Sequence, residues 1–148
     1  MSTPPEVSRQ TTLHVRDECL CLHAQRAARA LARRFDEAFK PLGLTNGQFS
    51  LMMSLNRPEP PRMGGVAAFL AMDRTTLTAA LKPLVRRGLV DVMVDAKDRR
   101  SRRMKLTAEG RALLASAVPI WQRAHAELDD LLPDGNPDRL RSDLKSLS

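Results

Sequence analysis

Cysteine is nearly absent from this 148-residue chain: only Cys19 and Cys21 occur, with one residue between them. Two cysteines so close in one helix cannot join in a normal disulfide, because their Cβ vectors diverge. Nor can they alone supply a four-ligand zinc site. Disulfide scaffolds and zinc fingers are therefore excluded. No apolar stretch approaches the roughly 18–20 residues of a membrane span. The start, MSTPPEVSRQTTLHVRDE, has no apolar segment of the kind that directs export, so the cytoplasm is the simplest address. There is no phosphate-cradling glycine loop, no nucleophile elbow and no carboxylate pair placed at a predicted cleft, so the sequence does not read as an enzyme. His14, His23 and His125 lie too far apart in sequence to argue for a metal, and no cofactor is expected.

What the chain does have is positive charge in one place. It carries 24 Lys+Arg against 17 Asp+Glu, a net +7. Ten of the basic residues and only three acids, Asp91, Asp95 and Asp98, fall between Arg74 and Lys105. The remainder, 14 basic and 14 acidic residues, is neutral. All the excess thus lies in 32 consecutive residues, which points to a polyanion and to a defined contact in place of general stickiness. Hydrophobic residues at 43% and charged residues at 28% fit one globular domain.

The apolar spacing gives the order of elements. Residues 1–16, with Pro4, Pro5 and several Ser/Thr, read as a flexible arm. From Asp17 to about Lys40, Leu20, Ala24, Ala27, Leu31, Phe35 and Ala38 recur at helical steps, and Pro41 and Gly43 end the run. Thr45 caps a second helix that is apolar nearly all round, through Phe49, Leu51, Met52, Met53 and Leu55. Three prolines make Asn56–Arg62 a loop. Two short helices follow, Gly64–Leu70 and a segment starting at the Asp73 cap and reaching Arg87. Leu77, Leu81 and Leu84 form the buried stripe of the latter, and its free face is polar and basic: a helix-turn-helix. Gly88 ends it. Leu89–Asp95 and Arg102–Leu106 read as a hairpin whose connecting loop, Ala96–Ser101, is strongly basic. Thr107 caps a long helix to about Leu132, and Asn136-Pro137 opens a last one presenting Leu140, Leu144 and Leu147. Pro83 and Pro119 fall inside helices whose apolar period continues past them.

The segment VAAFLAMDRTTLTAALKPLVRRGLV (Val66–Val90), followed by KDRRSRRMKLTAEG (Lys97–Gly110), resembles the MarR family of winged-helix regulators. An Asp-Arg-Arg run leading into Leu-Thr-x-x-Gly looks like that family's wing, and the likeness extends over about Asp17–Leu132. The resemblance implies a mainly α fold with a small β-hairpin wing: a winged helix-turn-helix lobe at 45–106, flanked by dimerisation helices at 17–41 and 107–148. It further implies a homodimer on pseudo-palindromic double-stranded DNA, usually a repressor. Two departures stand out: Ala71 occupies a turn position usually held by Gly, and Gly64-Gly65 weakens the supporting helix by about 1 kcal/mol per glycine.

Side chains near the start of a helix in the major groove read base edges, which nominates Arg74, Thr75, Thr76 and Thr78. Lys82, a turn further on, suits phosphate. At the hairpin tip, Arg100 can enter a narrow minor groove. Asp98 is expected to hold its guanidinium in a bidentate pair, a role the resemblance also implies. Arg99, Arg102 and Arg103 are assigned to phosphates. A protein that coats DNA without regard to sequence is the rival reading, and the threonine-bearing helix argues against it.

For the signal, a small aromatic or carboxylate effector is expected near Met52, Met53 and Met72, with Arg16, His23 or Arg26 to meet its charge. The alternative is redox sensing. The stretch LCLHA resembles the organic-hydroperoxide-sensing branch, with Cys21 where that branch keeps its reactive cysteine. Phe35 and Asn46 stand where that branch has tyrosines, and the chain has no Tyr at all. Without a hydroxyl donor the thiolate lacks support, so Cys21 reads as a small buried hydrophobe.

Overall fold

Ser8 opens the first helix: its hydroxyl accepts from the Thr11 N–H at 3.1 Å, and α1 (Arg9–Glu18) follows. The structure, a computed structural model, describes all of residues 1–148. The flexible arm expected over 1–16 is therefore overturned from Arg9 onward. Its second half is helical, because a serine cap outweighs the polar composition of the turn that follows. The single helix expected from Asp17 is likewise divided. Cys19, at φ −68° and ψ 108°, leaves the helical basin and caps α2 (Leu20–Phe39), its Sγ accepting from the Leu22 N–H at 3.5 Å. No residue of α1 is buried, and in α2 only Phe35 and Phe39 are.

Thr45 and Gln48 form a reciprocal capping box at the start of α3 (Asn46–Leu55), which buries Phe49, Leu51, Met52, Ser54 and Leu55. After the proline loop come α4 (Met63–Phe69) and α5 (Arg74–Arg86), the latter capped by Asp73. The turn between them passes through Ala71 at φ 53°, so the Cβ at this position is accommodated in a left-handed conformation. Leu77, Leu81 and Leu84 are 0–3% exposed, the expected stripe, and each contributes about 2 kcal/mol by leaving water. Pro83 lies inside α5 and Pro119 inside the long helix Ala108–Ala126, without ending either.

β1 (Val90–Val94) pairs antiparallel with β2 (Arg102–Leu106), Val90 opposite Leu106 and Val94 opposite Arg102. A third segment joins them: Arg62 bridges to Arg103, and the Met104 N–H donates to the Pro61 carbonyl at 3.1 Å. The wing stem is thus stitched to the loop that precedes α4. Thr107 fastens the other side. Its N–H donates to the Leu89 carbonyl at 3.0 Å and its hydroxyl to the Gly88 carbonyl at 2.6 Å, while that hydroxyl accepts from the Gly110 N–H at 3.0 Å. A Cβ on Gly110 would lie 2.1 Å from the Leu89 oxygen, which is the physical reason for the Leu-Thr-x-x-Gly run.

α6 (Ala108–Ala126) continues through a 3-10 turn (Glu127–Leu131) to α7 (Pro137–Ser146), which is capped by Asn136 as its sequence predicts. One core joins these parts. Phe39 stacks on Phe49 at 4.7 Å between ring centroids, and α2, α3 and α6 close around them with Met104 and Leu106 of the wing. No helix is long and apolar enough to cross a membrane.

Candidate nucleic-acid interface

The first turn of α5 is built by Asp73, whose Oδ1 accepts from the Thr76 N–H at 2.7 Å. That bond, then the Thr76 hydroxyl and the Thr75 N–H, hold the Asp73 carboxyl below its ordinary range, with desolvation acting in the opposite sense. Thr76 is therefore engaged in the cap. Thr78 turns its hydroxyl back to the Arg74 carbonyl at 2.8 Å, which fixes its rotamer. Arg74, Thr75, Thr76, Thr78 and Lys82 are all exposed, and Arg74, Thr78 and Lys82, four residues apart, share one face.

The wing meets that face. Thr78, Lys82 and Arg86 of α5 and Arg102 of β2 line one open cleft of about 720 Å³, floored by Met63, Leu81, Val85 and Val92. The Arg102 guanidinium itself leans on the Arg99 and Ser101 carbonyls, at 3.1 and 3.4 Å. Two residues beyond, the tip Lys97–Arg100 is exposed, and neither Arg99 nor Arg100 enters an ion pair.

Two assignments at the wing need correction. Asp98 does not hold the Arg100 guanidinium: its Oδ1 accepts from the Arg100 backbone N–H at 3.0 Å and its Oδ2 from the Ser101 hydroxyl at 3.4 Å. In a tight turn a carboxylate two residues back reaches the backbone first, so Asp98 shapes the turn and leaves the Arg100 side chain free. Arg103 is also not a free phosphate ligand. Its Nε lies 3.2 Å from Asp95 Oδ1, and its Nη1 donates to the Pro60 carbonyl at 2.6 Å.

Asp95 is the residue that sequence reasoning overlooked. It is 3% exposed, accepts from the Lys97 N–H at 3.2 Å, and places Oδ2 2.9 Å from Arg62 Nη2 as an ion pair without an aligned hydrogen bond. The Lys97 N–H, then Arg103 and Arg62, hold its carboxyl below the ordinary range although burial acts to raise it. The available signal was an acid ending an apolar strand, opposite an arginine-rich one.

The effector residues are not brought together. Met52 is in the core at 0% exposure, whereas Met53, a helical step of 100° away, lines a different cleft of about 550 Å³ with Phe49, Phe69 and Trp121. Met72 is half-buried at the helix-turn-helix turn. His23 and Arg26 border a shallow groove on α2, and Arg16 pairs with Asp17 on α1 at 2.8 Å. Cys21 is exposed, with Gln25 Nε2 at 3.4 Å from its Sγ, and is not the buried hydrophobe expected: the first half of α2 buries no residue within the single chain. Of the two positions where the hydroperoxide-sensing branch has tyrosines, Phe35 is buried and Asn46 is committed through its N–H to Asp36 Oδ1 at 2.6 Å.

A basic reading helix, its supporting helix and a hairpin sharing one cleft define a winged helix-turn-helix protein. Residues 44–101 match the model of the MarR family. The chain is 42% identical to the Mycobacterium tuberculosis transcriptional regulator MosR, solved in complex with DNA, over 88% of this chain and 93% of that one, with a TM-score of 0.80. It is 30% identical to the transcriptional repressor CouR bound to a 23-mer DNA duplex, over 97% and 99% of the two chains, with a TM-score of 0.79. Among curated relatives, BadR of Rhodopseudomonas palustris, a transcriptional activatory protein, is 33% identical over 87 residues, and the match spans 57% of this chain and half of BadR. The chain belongs to the MarR family.

Proposed function

We propose that this protein is a sequence-specific regulator of transcription that binds double-stranded DNA as a homodimer and represses from a palindromic operator. One observation carries the reading: the cleft that puts Thr78, Lys82 and Arg86 of the reading helix beside Arg102 of the wing, so that cations from both elements face one partner. Arg74, Thr75 and Thr78 address base edges in the major groove. Lys82, Arg99 and Arg102 neutralise phosphate, and Arg100 enters the adjacent minor groove. The DNA-bound relatives MosR and CouR support the ligand, and CouR, a repressor, supports the direction of control.

Dimerisation is supported by what the single chain leaves uncovered. Leu20, Leu31, Leu140, Leu144 and Leu147 are each at least 40% exposed, and α7 buries no residue. A ten-residue helix without a packing partner is marginal in water. The effector site is reassigned to the cleft between α3, α4 and α6, where Phe49, Met53, Phe69 and Trp121 suit an aromatic ring and Arg57 its carboxylate.

The reading is tested by selecting duplexes from a random pool. A regulator enriches one palindromic motif; a coating protein enriches none, and that result would reject the proposal. Sedimentation as a monomer at micromolar concentration would reject the dimer. A thermal-shift screen of aromatic carboxylates tests the cleft, and loss of any shift in Trp121→Ala is the expected control.

A further inference from the structure

Arg74 is the first residue of α5 and has no carboxylate partner. Its guanidinium comes to rest over the first turn of α4, against Gly64. A Cβ built on Gly64 would lie 3.1 Å from Arg74 Nη2 and 4.0 Å from Cζ. The neighbouring Gly65, in the same helical turn, has nothing within 4 Å of the equivalent point. Gly64 is not among the residues with positive φ, so its backbone does not call for glycine, and glycine weakens a helix. The contact that a side chain at position 64 would disturb is the one with Arg74.

The setting makes this contact one of space and not of attraction. The N-terminal turn of a helix carries partial positive charge, an unfavourable neighbour for a cation. The arginine fork is therefore laid in a defined direction yet stays uncommitted, ready for a guanine O6/N7 pair. We infer that Gly64 is a specificity-determining residue: the side chain it lacks sets the direction of Arg74, and so decides which base the reading helix selects. This rests on the reading of the chain as a sequence-specific DNA binder. Gly64 is a positioning residue that acts through Arg74, and its effect is confined to the far end of a flexible side chain, so it is separable from folding.

That separability gives the test. Gly64→Ala, Gly64→Gln, Gly65→Ala, Gly65→Gln and Arg74→Ala are compared with the wild-type protein by duplex selection, by affinity for the wild-type motif, and by melting temperature. Gly64→Gln is expected to lose the preference at one position of each half-site and to bind the wild-type motif about tenfold more weakly, the scale of one bidentate arginine–guanine contact. Gly64→Ala, which needs a shift of only a few tenths of an ångström, is expected to show the same change in smaller measure. Both should melt at or above the wild-type temperature. The Gly65 variants should keep motif and affinity. In the Arg74→Ala background, Gly64→Gln should cause no further loss, since the two residues act as one unit.

Unchanged selection by both Gly64 variants overturns the inference. So does an equal loss from Gly65→Gln, a loss that persists in the Arg74→Ala background, or a loss accompanied by a lowered melting temperature in Gly64→Ala. If the wild-type protein itself selects no motif, the DNA reading fails first and takes this inference with it.

Discussion

Arg103 divides its guanidinium between two segments of the chain, with Nε 3.2 Å from Asp95 Oδ1 and Nη1 donating to the Pro60 carbonyl at 2.6 Å. It therefore holds the wing stem in place, whereas the arginines at the tip are free to meet a partner. Arg103→Ala is expected to weaken DNA binding while leaving the slope of log affinity against log salt unchanged. Arg99→Ala should reduce that slope by about one unit, as the loss of one phosphate contact does. Titrations of a labelled duplex between 50 and 200 mM salt separate the two roles; a shallower slope for Arg103→Ala would return it to the phosphate contacts.

Arg100 stands at the tip with its backbone N–H fixed by Asp98 and its side chain unpaired. Arg100→Ala should cost about 1 kcal/mol or more of specific binding, about fivefold or more, with the melting temperature unchanged. Anisotropy on the selected motif measures it, and an unaltered affinity removes the minor-groove role.

Two carboxyls link stability to pH. Asp73 and Asp95 both titrate below the ordinary value of 3.8 in the folded chain, chiefly through the Thr76 and Lys97 N–H groups respectively. A depressed folded pKa means that the unfolded chain binds more protons, so stability rises with pH in this range. Their contribution is complete well above pH 3.8 and is lost as the pH falls through 3.8 towards the folded values. Chemical denaturation between pH 3 and 6 should show a decline at the acid end, shallower in an Asp73→Asn/Asp95→Asn double variant. Parallel curves for the two proteins would contradict the assignment.

Backbone geometry gives a prediction of opposite signs. Ala71, at φ 53°, carries a Cβ in the left-handed region, so Ala71→Gly should stabilise the protein by about 0.5–1 kcal/mol. Gly110→Ala drives a methyl against the Leu89 carbonyl and should destabilise by about 3 kcal/mol. Urea denaturation midpoints report both.

The parts of the fold that follow a local rule could be read from the sequence. Asp73 caps α5, Asn136-Pro137 starts α7, and β2 spans Arg102–Leu106, because each is decided by a cap, a ring or an alternation within a few residues. The parts decided at a distance could not. The break at Cys19 has neither glycine nor proline to mark it. The ion pair of Asp95 with Arg62 joins residues far apart in the chain, and only that fold-level contact completes the site that its second partner, Arg103 on the opposite strand, begins. The candidate interface divides in the same way. Exposure of Arg74, Lys82 and Arg100 followed from helix phase and hairpin position, whereas the engagement of Arg103 with Pro60 depended on a segment distant in the chain.

The stitching of β2 to the Pro60–Arg62 segment has a kinetic side. A stem already ordered before encounter spares the complex most of the entropy of fixing a hairpin, leaving only a few long side chains to immobilise. Mutations that loosen this seam should therefore slow capture of the duplex, and those at the tip should hasten its escape.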